Sequence, residues 1–472
     1  MPNSRNVGEA FRPPAGDLKV APTSRFPSGR HIGLGSDERL APDQREGSVR
    51  ICLLMYHGSM YSGGQGVYIY NLARELTRLG HEVHVIAGPP YPSMSPGVQV
   101  HGVESFSWFH YRENRRHFLL RPHPWEFFHP LNLFELAASR ASLSALMFTF
   151  SLRAAAKLLE LSRRRRFDVI HDNQGLGPGL LLLKTTGTPL VATVHHPLSI
   201  DRRNAVAQAR SPIERARRLV YYPIFMQEFV ARRLDKIITV SEASARMVEL
   251  AFDVPRGQMR VIHNGIDAET FRPLSIPKDA GDIIYVGNSE DRTKGAAHLL
   301  RALCLLRDTV PYHLTFVDRP WQELKLAPRL VRRYGLGARV RFTGRLTTAE
   351  LVRRYNRAEM MVCPSLYEGF GMPCGEAMAC GLPVAATTGG ALPEVVEDGV
   401  TGILVPPGDA PALAEAMRTL MSDAELRRRM GQAGRERVLE KFSWRKAALE
   451  TEAVYREVLS GRASVTGAAA AI

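Results

Sequence analysis

The chain has 472 residues, too many for one ordinary domain and enough for two substantial cores, so two domains are expected. Its five cysteines (Cys52, Cys304, Cys363, Cys374, Cys380) form no CxxC pair and stand mostly in apolar contexts, which argues against a disulfide framework or a zinc site and fits a reduced, cytoplasmic setting. The formal charge of +15 invites a nucleic-acid reading, yet only nine of the 62 basic residues are lysine, the arginines are spread along the whole chain, and no RNA- or DNA-binding motif appears, so no nucleic acid partner is expected.

Residues 1–48 are rich in Pro, Gly, Ser and Arg without apolar periodicity, the composition of a disordered tail. No apolar run follows the first methionine, so no secretory signal is read. Order is expected from Arg50-Ile-Cys-Leu-Leu-Met-Tyr56, a buried strand. A loop containing Gly63-Gly-Gln-Gly66 follows, then a helical pattern from Val67 to Leu79 ended by Gly80. A strand, a glycine-rich turn and a helix begin a Rossmann-like unit, in which Gly64 and Gly66 would let backbone amides approach a ligand without a Cβ in the way.

Residues 104–162 break this alternation, mixing aromatic residues with Arg112, Arg115, Arg116 and Arg121 before a long helix that ends at Arg163–Arg166. The apolar stretch Phe134–Leu161 carries Arg140, Arg153 and Lys157, which argues against a membrane span. The segment from Tyr111 to Phe128, together with Arg210, Arg215, Arg217 and Arg218, has the mixture of arginine and apolar side chains that peripheral contact with an anionic membrane needs. The opposing reading buries those aromatics in the domain.

Buried strands resume at Asp168–His171, Pro189–Val194 and Lys236–Val240. Thr193-Val-His-His-Pro197 sets His195, with His196 beside it, just past a strand end, and Ser241 suits a helix cap. The Pro-containing stretch Arg272–Asp279 reads as a linker, after which Asp282-Ile-Ile-Tyr-Val286 starts a second unit as Ile51 started the first. Its first loop, Gly287–Gly295, holds two cations, Arg292 and Lys294, beside a glycine.

Met360–Cys363 is a further short strand, and the chain then runs Ser365-Leu-Tyr-Glu-Gly-Phe-Gly-Met-Pro-Cys-Gly-Glu-Ala-Met-Ala-Cys-Gly381. The first half is a loop and the second a helix, with Pro373 suited to the first helical position and Gly381 to the stop. Glu368 then lies in the loop and Glu376 in the first helical turn, both able to face one crevice. The amides of Gly369, Phe370, Gly371 and Met372, at a helix N-terminus, attract a phosphate. Amides for phosphate and carboxylates for hydroxyls suit a ligand with both parts.

Glu368, seven residues, then Glu376, within that whole string, resembles the EX7E motif of the retaining GT-B glycosyltransferases, in particular glycosyltransferase family 4. The resemblance covers roughly residues 50–460 and is strongest from 260 to 442. It implies an α/β, GT-B fold: two Rossmann-like domains facing across a cleft, an acceptor domain over 49–270 and a nucleotide-sugar donor domain over 280–442. A helix at 443–460 would cross back to the first domain, followed by a disordered tail at 461–472.

The resemblance also implies transfer of a sugar from a nucleotide diphosphate sugar to an acceptor hydroxyl with retention, with no cofactor. Lys294, and with less close a match Arg292, would hold the diphosphate, and His195 and Glu368 would orient the transferred sugar. Glu376 would hold the ribose, and Gly64 and Gly66 match the family's first loop. No Asp-x-Asp stands at a strand end, so no metal is expected. The donor base, the sugar and the acceptor, lipid-linked or soluble, stay open. So do two alternatives on the same fold: a catalytically silent nucleotide-sugar-binding protein, and an epimerase or phosphorylase.

Overall fold

The computed structural model describes residues 47–58, 64–105, 128–140, 145–209 and 211–469. Nearly all of the Tyr111–Phe128 segment, Arg210, Gly63 and the expected N-terminal tail up to residue 46 lie outside them.

Thirteen strands form two wholly parallel sheets among these residues. The first contains β1 (Arg50–Met55), β2 (Glu82–Ala87), β3 (Gln99–Gly102), β4 (Val169–Asn173), β5 (Leu190–Val194), β6 (Lys236–Thr239) and β7 (Met259–Val261), in the spatial order β3-β2-β1-β4-β5-β6-β7. The second contains β8 (Asp282–Val286), β9 (His313–Val317), β10 (Val340–Phe342), β11 (Met360–Cys363), β12 (Val384–Thr387) and β13 (Gly402–Val405), ordered β10-β9-β8-β11-β12-β13. The central strands are buried on both faces, every residue of β1, β4 and β5 included, because crossover helices cover each side of a parallel sheet.

In both sheets the order reverses beside the first strand. Ile51 of β1 pairs with Val83 on one side and Val169 on the other, and Ile284 of β8 with Thr315 and Met361. Each reversal leaves a crevice at the carboxyl ends of the strands, where the connecting loops diverge. Every loop singled out from the sequence leaves one of these ends.

The linker is strapped to the second domain. Asn356 accepts from the Leu274 amide at 2.7 Å and donates to the Arg272 carbonyl at 3.0 Å, and Lys278 Nζ donates to the carbonyls of Asn356 and Ala358. The last helix, Trp444–Ala469, returns to the first domain, where Ala448, Val454 and Tyr455 share a core with Ile51, Leu53 and Tyr68. It runs nine residues beyond the end at Ser460 expected from composition.

The helix expected in residues 104–162 is two helices, Pro130–Arg140 and Leu146–Ser162. Arg153 pairs with the buried Glu135 at 2.8 Å, so the charge in this apolar stretch serves an internal contact. Among the described residues no helix is long and apolar enough to cross a membrane. All five cysteines are free, four of them buried.

Candidate active site

The two sets of strand ends bound one cleft of about 740 Å³. On the second-domain wall, the loop after β8 and the loop after β11 are tied together by the Leu366 amide, which donates to the Thr293 carbonyl at 2.6 Å. Gly295, at φ +66°, makes this approach possible, since a Cβ there would stand 1.8 Å from the Pro364 carbonyl oxygen. Asp291 caps the short turn Arg292–Lys294 by accepting from the Thr293 amide at 2.9 Å.

This bracing sets Lys294 Nζ within 2.9 and 2.8 Å of the two carboxylate oxygens of Glu368. Ser365 Oγ donates to the same carboxylate at 2.8 Å. Burial alone would lower the Lys294 pKa, but Glu368, by its charge and hydrogen bond, more than offsets it, so the ammonium is held firmly protonated. Arg292, by contrast, is exposed and does not line the cleft. A three-residue turn carries Thr293 and Lys294 to the cleft and leaves the residue before them in solvent.

The helix of the motif is Met372–Ala379, so Pro373 is its second residue and Glu376 its fifth, one residue deeper than expected. The helix closes with a Schellman pair: the Gly381 amide donates to Met378 and the Leu382 amide to Ala377. Among the described residues, no hydrogen bond runs from the amides of Gly369, Phe370 and Gly371 to a protein acceptor, and all three residues line the cleft at a helix N-terminus. Glu376 lies at the cleft floor, where burial pushes its carboxyl up to about 7 against the opposing hydrogen bond from Tyr355 Oη at 3.2 Å.

On the first-domain wall His195 is buried, and burial followed by the neighbouring His196 and His171 lowers its pKa to about 3, so the ring is neutral. Its Nε2 stands 2.9 Å from Asn173 Oδ1, and Tyr68 packs edge-on at 5.0 Å. Tyr68 Oη shares Thr193 Oγ1 with His171, whose other nitrogen meets Tyr455 Oη of the returning helix at 2.6 Å. Gln174 adopts φ +67° and clasps the histidine loop from both ends of its amide. Its Oε1 accepts from the His195 amide at 2.6 Å, and its Nε2 donates to the His196 carbonyl at 2.5 Å.

The walls meet at Gly369. Its carbonyl accepts from Ser241 Oγ at 2.6 Å and Ser244 Oγ at 3.2 Å, and a Cβ on it would come within 2.8 Å of the His195 carbonyl oxygen. Ser241 also caps its own helix, Glu242–Phe252, while Glu394 of the second domain accepts from the Glu242 and Ala243 amides.

His195, Lys294, Glu368, Gly369, Phe370, Gly371, Met372 and Glu376 all line the cleft, as does Gly64. Gly66 does not: it is already in the first turn of the helix Gln65–Arg78, buried and off the wall, because the helix starts two residues earlier than the apolar pattern shows. Sequence reading passed over Gln65, Asn173, Gln174, Asp201 and Tyr68. Position at the end of β4 was the available signal for Asn173 and Gln174, whereas Asp201 lies farther on, in the helix Leu198–Ala207.

Two reversed parallel sheets with their phosphate-attracting loop and carboxylates in a shared cleft define a GT-B transferase. The chain belongs to the group 1, family 4-like glycosyltransferases. The family described as "Glycosyl transferases group 1" matches residues 267–437, and that described as "Glycosyl transferase 4-like domain" matches residues 63–265. The chain is 39% identical over 419 residues to the MMP alpha-(1->4)-mannosyltransferase of Mycolicibacterium hassiacum, covering 87% of this chain and 99% of that one. Among solved structures it is similar to sucrose-phosphate synthase from Thermosynechococcus elongatus, with a TM-score of 0.66, 26% identity and coverage of 87% and 100%. The fold is also that of Anabaena HepE, solved in complex with UDP-glucose (TM-score 0.61, 18% identity, coverage 87% and 100%). The protein is a glycosyltransferase using a nucleotide-sugar donor.

Proposed function

We propose that this enzyme transfers a hexose, of mannose type, from a nucleotide diphosphate sugar to an acceptor hydroxyl with retention at the anomeric carbon and without a metal ion. The observation that carries the reading is Lys294, paired with Glu368 beside the free amides of Gly369–Gly371, across one cleft from a neutral His195. Breaking the donor bond leaves negative charge on the diphosphate and positive charge on the sugar ring. Lys294 and the three amides stabilise the first, fixed in place before the reaction. Glu368 and His195 orient the sugar hydroxyls, and Glu376 accepts from the ribose. The departing phosphate takes the acceptor proton as the new bond forms, so the step needs no protein base.

Metal independence rests on the same balance of charge: one ammonium and a helix N-terminus face the leaving group. Among the described residues no group of three or more His, Cys, Asp or Glu could hold a metal ion. The mannose assignment is supported by the name of the mannosyltransferase relative, whereas HepE was solved with UDP-glucose, so the base is what experiment must read first.

Thermal shift against UDP, GDP and ADP, followed by turnover of the matching α-linked sugar nucleotides, tests the reading. An α-glycoside product seen by NMR is expected. A β product would overturn retention, and a protein that binds nucleotide but turns over no donor would be the silent binding protein.

Peripheral contact with an anionic membrane, where a lipid-linked acceptor would be presented, is a second part of the proposal. The helix Pro212–Tyr221 has no buried residue, and Ile213 and Val220 are 69% and 66% exposed beside the exposed Arg215 and Arg217.

A further inference from the structure

Beside the cleft lies a second hollow of about 470 Å³. It opens between the helices Leu198–Ala207 and Pro212–Tyr221 of the first domain and the loop after β8 of the second. Asp201 and Asp291 belong to the walls of both spaces, so the hollow continues the cleft outward.

Its chemistry differs from that of the donor wall. Tyr221 and Tyr222 stand edge to face, with centroids 5.0 Å apart, and Asn204, Gln208 and Asn288 add neutral groups that both donate and accept. The charged residues are committed elsewhere. Arg218 donates to the Ala205 carbonyl and to Glu214, which ties the two helices together, and Glu290 accepts from the Lys325 and Leu326 amides. Asp201 keeps a half-exposed carboxylate at the junction, where His196 Nε2 holds it at 3.0 Å.

We infer that this hollow holds the sugar rings of a saccharide acceptor, with Asp201 at the junction accepting from the acceptor's hydroxyls. A pyranose has an apolar C–H face and a rim of hydroxyls. Aromatic rings cover the first and amide side chains satisfy the second. Among the described residues that line it, a free phosphate would find no uncommitted cation and an acyl chain no aliphatic wall. The volume is that of a small-ligand site and has room for more than one ring. The inference rests on the proposed transferase reading and deepens it by naming the acceptor class. Because the Asn288–Asp291 loop runs directly into Lys294, the acceptor would also touch the segment that carries the phosphate-holding cation.

The test is calorimetric titration of the whole protein with mannose, glucose and the di- and tetrasaccharides of each in α-(1→4) linkage, with and without saturating UDP or GDP. In the wild type, affinity is expected to rise at least ten-fold from monosaccharide to tetrasaccharide. Tyr222→Ala should abolish that rise, Tyr222→Phe should keep most of it, and neither should alter the thermal shift given by the nucleotide. Should Tyr222→Ala fail to fold, Asn204→Ala and Gln208→Ala carry the same expectation of a weakened tetrasaccharide. Failure of the wild type to bind any of these saccharides, equal affinity at every length, or a length gain that survives Tyr222→Ala would overturn the inference. A protein shifted by none of the nucleotides would instead sink the transferase reading, while the titrations without nucleotide still judge the hollow.

Discussion

Lys294 and Glu368, 74 residues apart in the chain, form a two-pronged ion pair with Nζ–O distances of 2.9 and 2.8 Å. The pair holds the cation protonated in a partly buried place and parks the carboxylate beside the free amides of the motif loop. A bound diphosphate would therefore meet an ammonium already fixed in position, and share it with Glu368.

Lys294→Ala is expected to lower kcat by about ten- to a thousand-fold, the scale of losing one preorganised electrostatic stabiliser. Steady-state kinetics with saturating donor measure it. Activity equal to wild type would remove Lys294 from the phosphate site.

Glu376 predicts a pH dependence. Burial raises its carboxyl from 4.5 to about 7, so the folded state favours the protonated form. The stability this contributes is full below about 4.5 and is lost as pH rises through about 7, on the order of 3 kcal/mol. Thermal unfolding of Glu376→Gln should lack that decline. Ribose hydroxyls bind the ionised form, so nucleotide affinity in the wild type should rise roughly ten-fold between about pH 6 and 8 and stay flat in Glu376→Gln. A flat wild-type profile would remove the ribose role.

Chelation should leave the rate intact. Incubation with EDTA followed by dialysis, then assay with and without Mn²⁺, measures this directly. Loss of activity restored by Mn²⁺ would show a metal-dependent reaction.

Gln174 sits in a left-handed conformation that costs a non-glycine residue on the order of 1–3 kcal/mol, and its amide spans the His195–His196 backbone. It acts as a positioning residue. Gln174→Gly keeps the backbone geometry and removes the clasp, so kcat should fall by about ten- to a hundred-fold while nucleotide affinity holds. A change in thermal stability alone, with kcat unchanged, would reduce the clasp to a structural role.

Flotation with vesicles tests the membrane reading. Salt-sensitive recovery with anionic but not neutral vesicles, lost when Arg215 and Arg217 become Glu, is the expected outcome. Equal recovery in the unbound fraction for both vesicle types would sink it.

The order of buried strands, the duplication of a Rossmann-like unit and the loop-to-helix motif were legible in the chain, because parallel strands buried on both faces are short apolar runs and glycine and proline punctuate them locally. His195, Lys294 and Glu368 could be singled out because each lies in a loop after a buried strand and Glu376 because it lies in the helix beyond one, and the family resemblance supplied their roles. Periodicity could not say which neighbour of Lys294 shares its wall, and a single turn leaves Arg292 in solvent. Nor could it place Gly66, since the helix takes in Gln65 and Gly66 ahead of its first apolar residue. The clasp of Gln174 on the histidine loop, the meeting of Gly369 with Ser241 and His195, and the hollow at Tyr222 join segments far apart in sequence. Local chain chemistry determines elements and their ends, whereas contacts between elements depend on how two separately folded sheets are set against each other, and that was decided only in the tertiary structure.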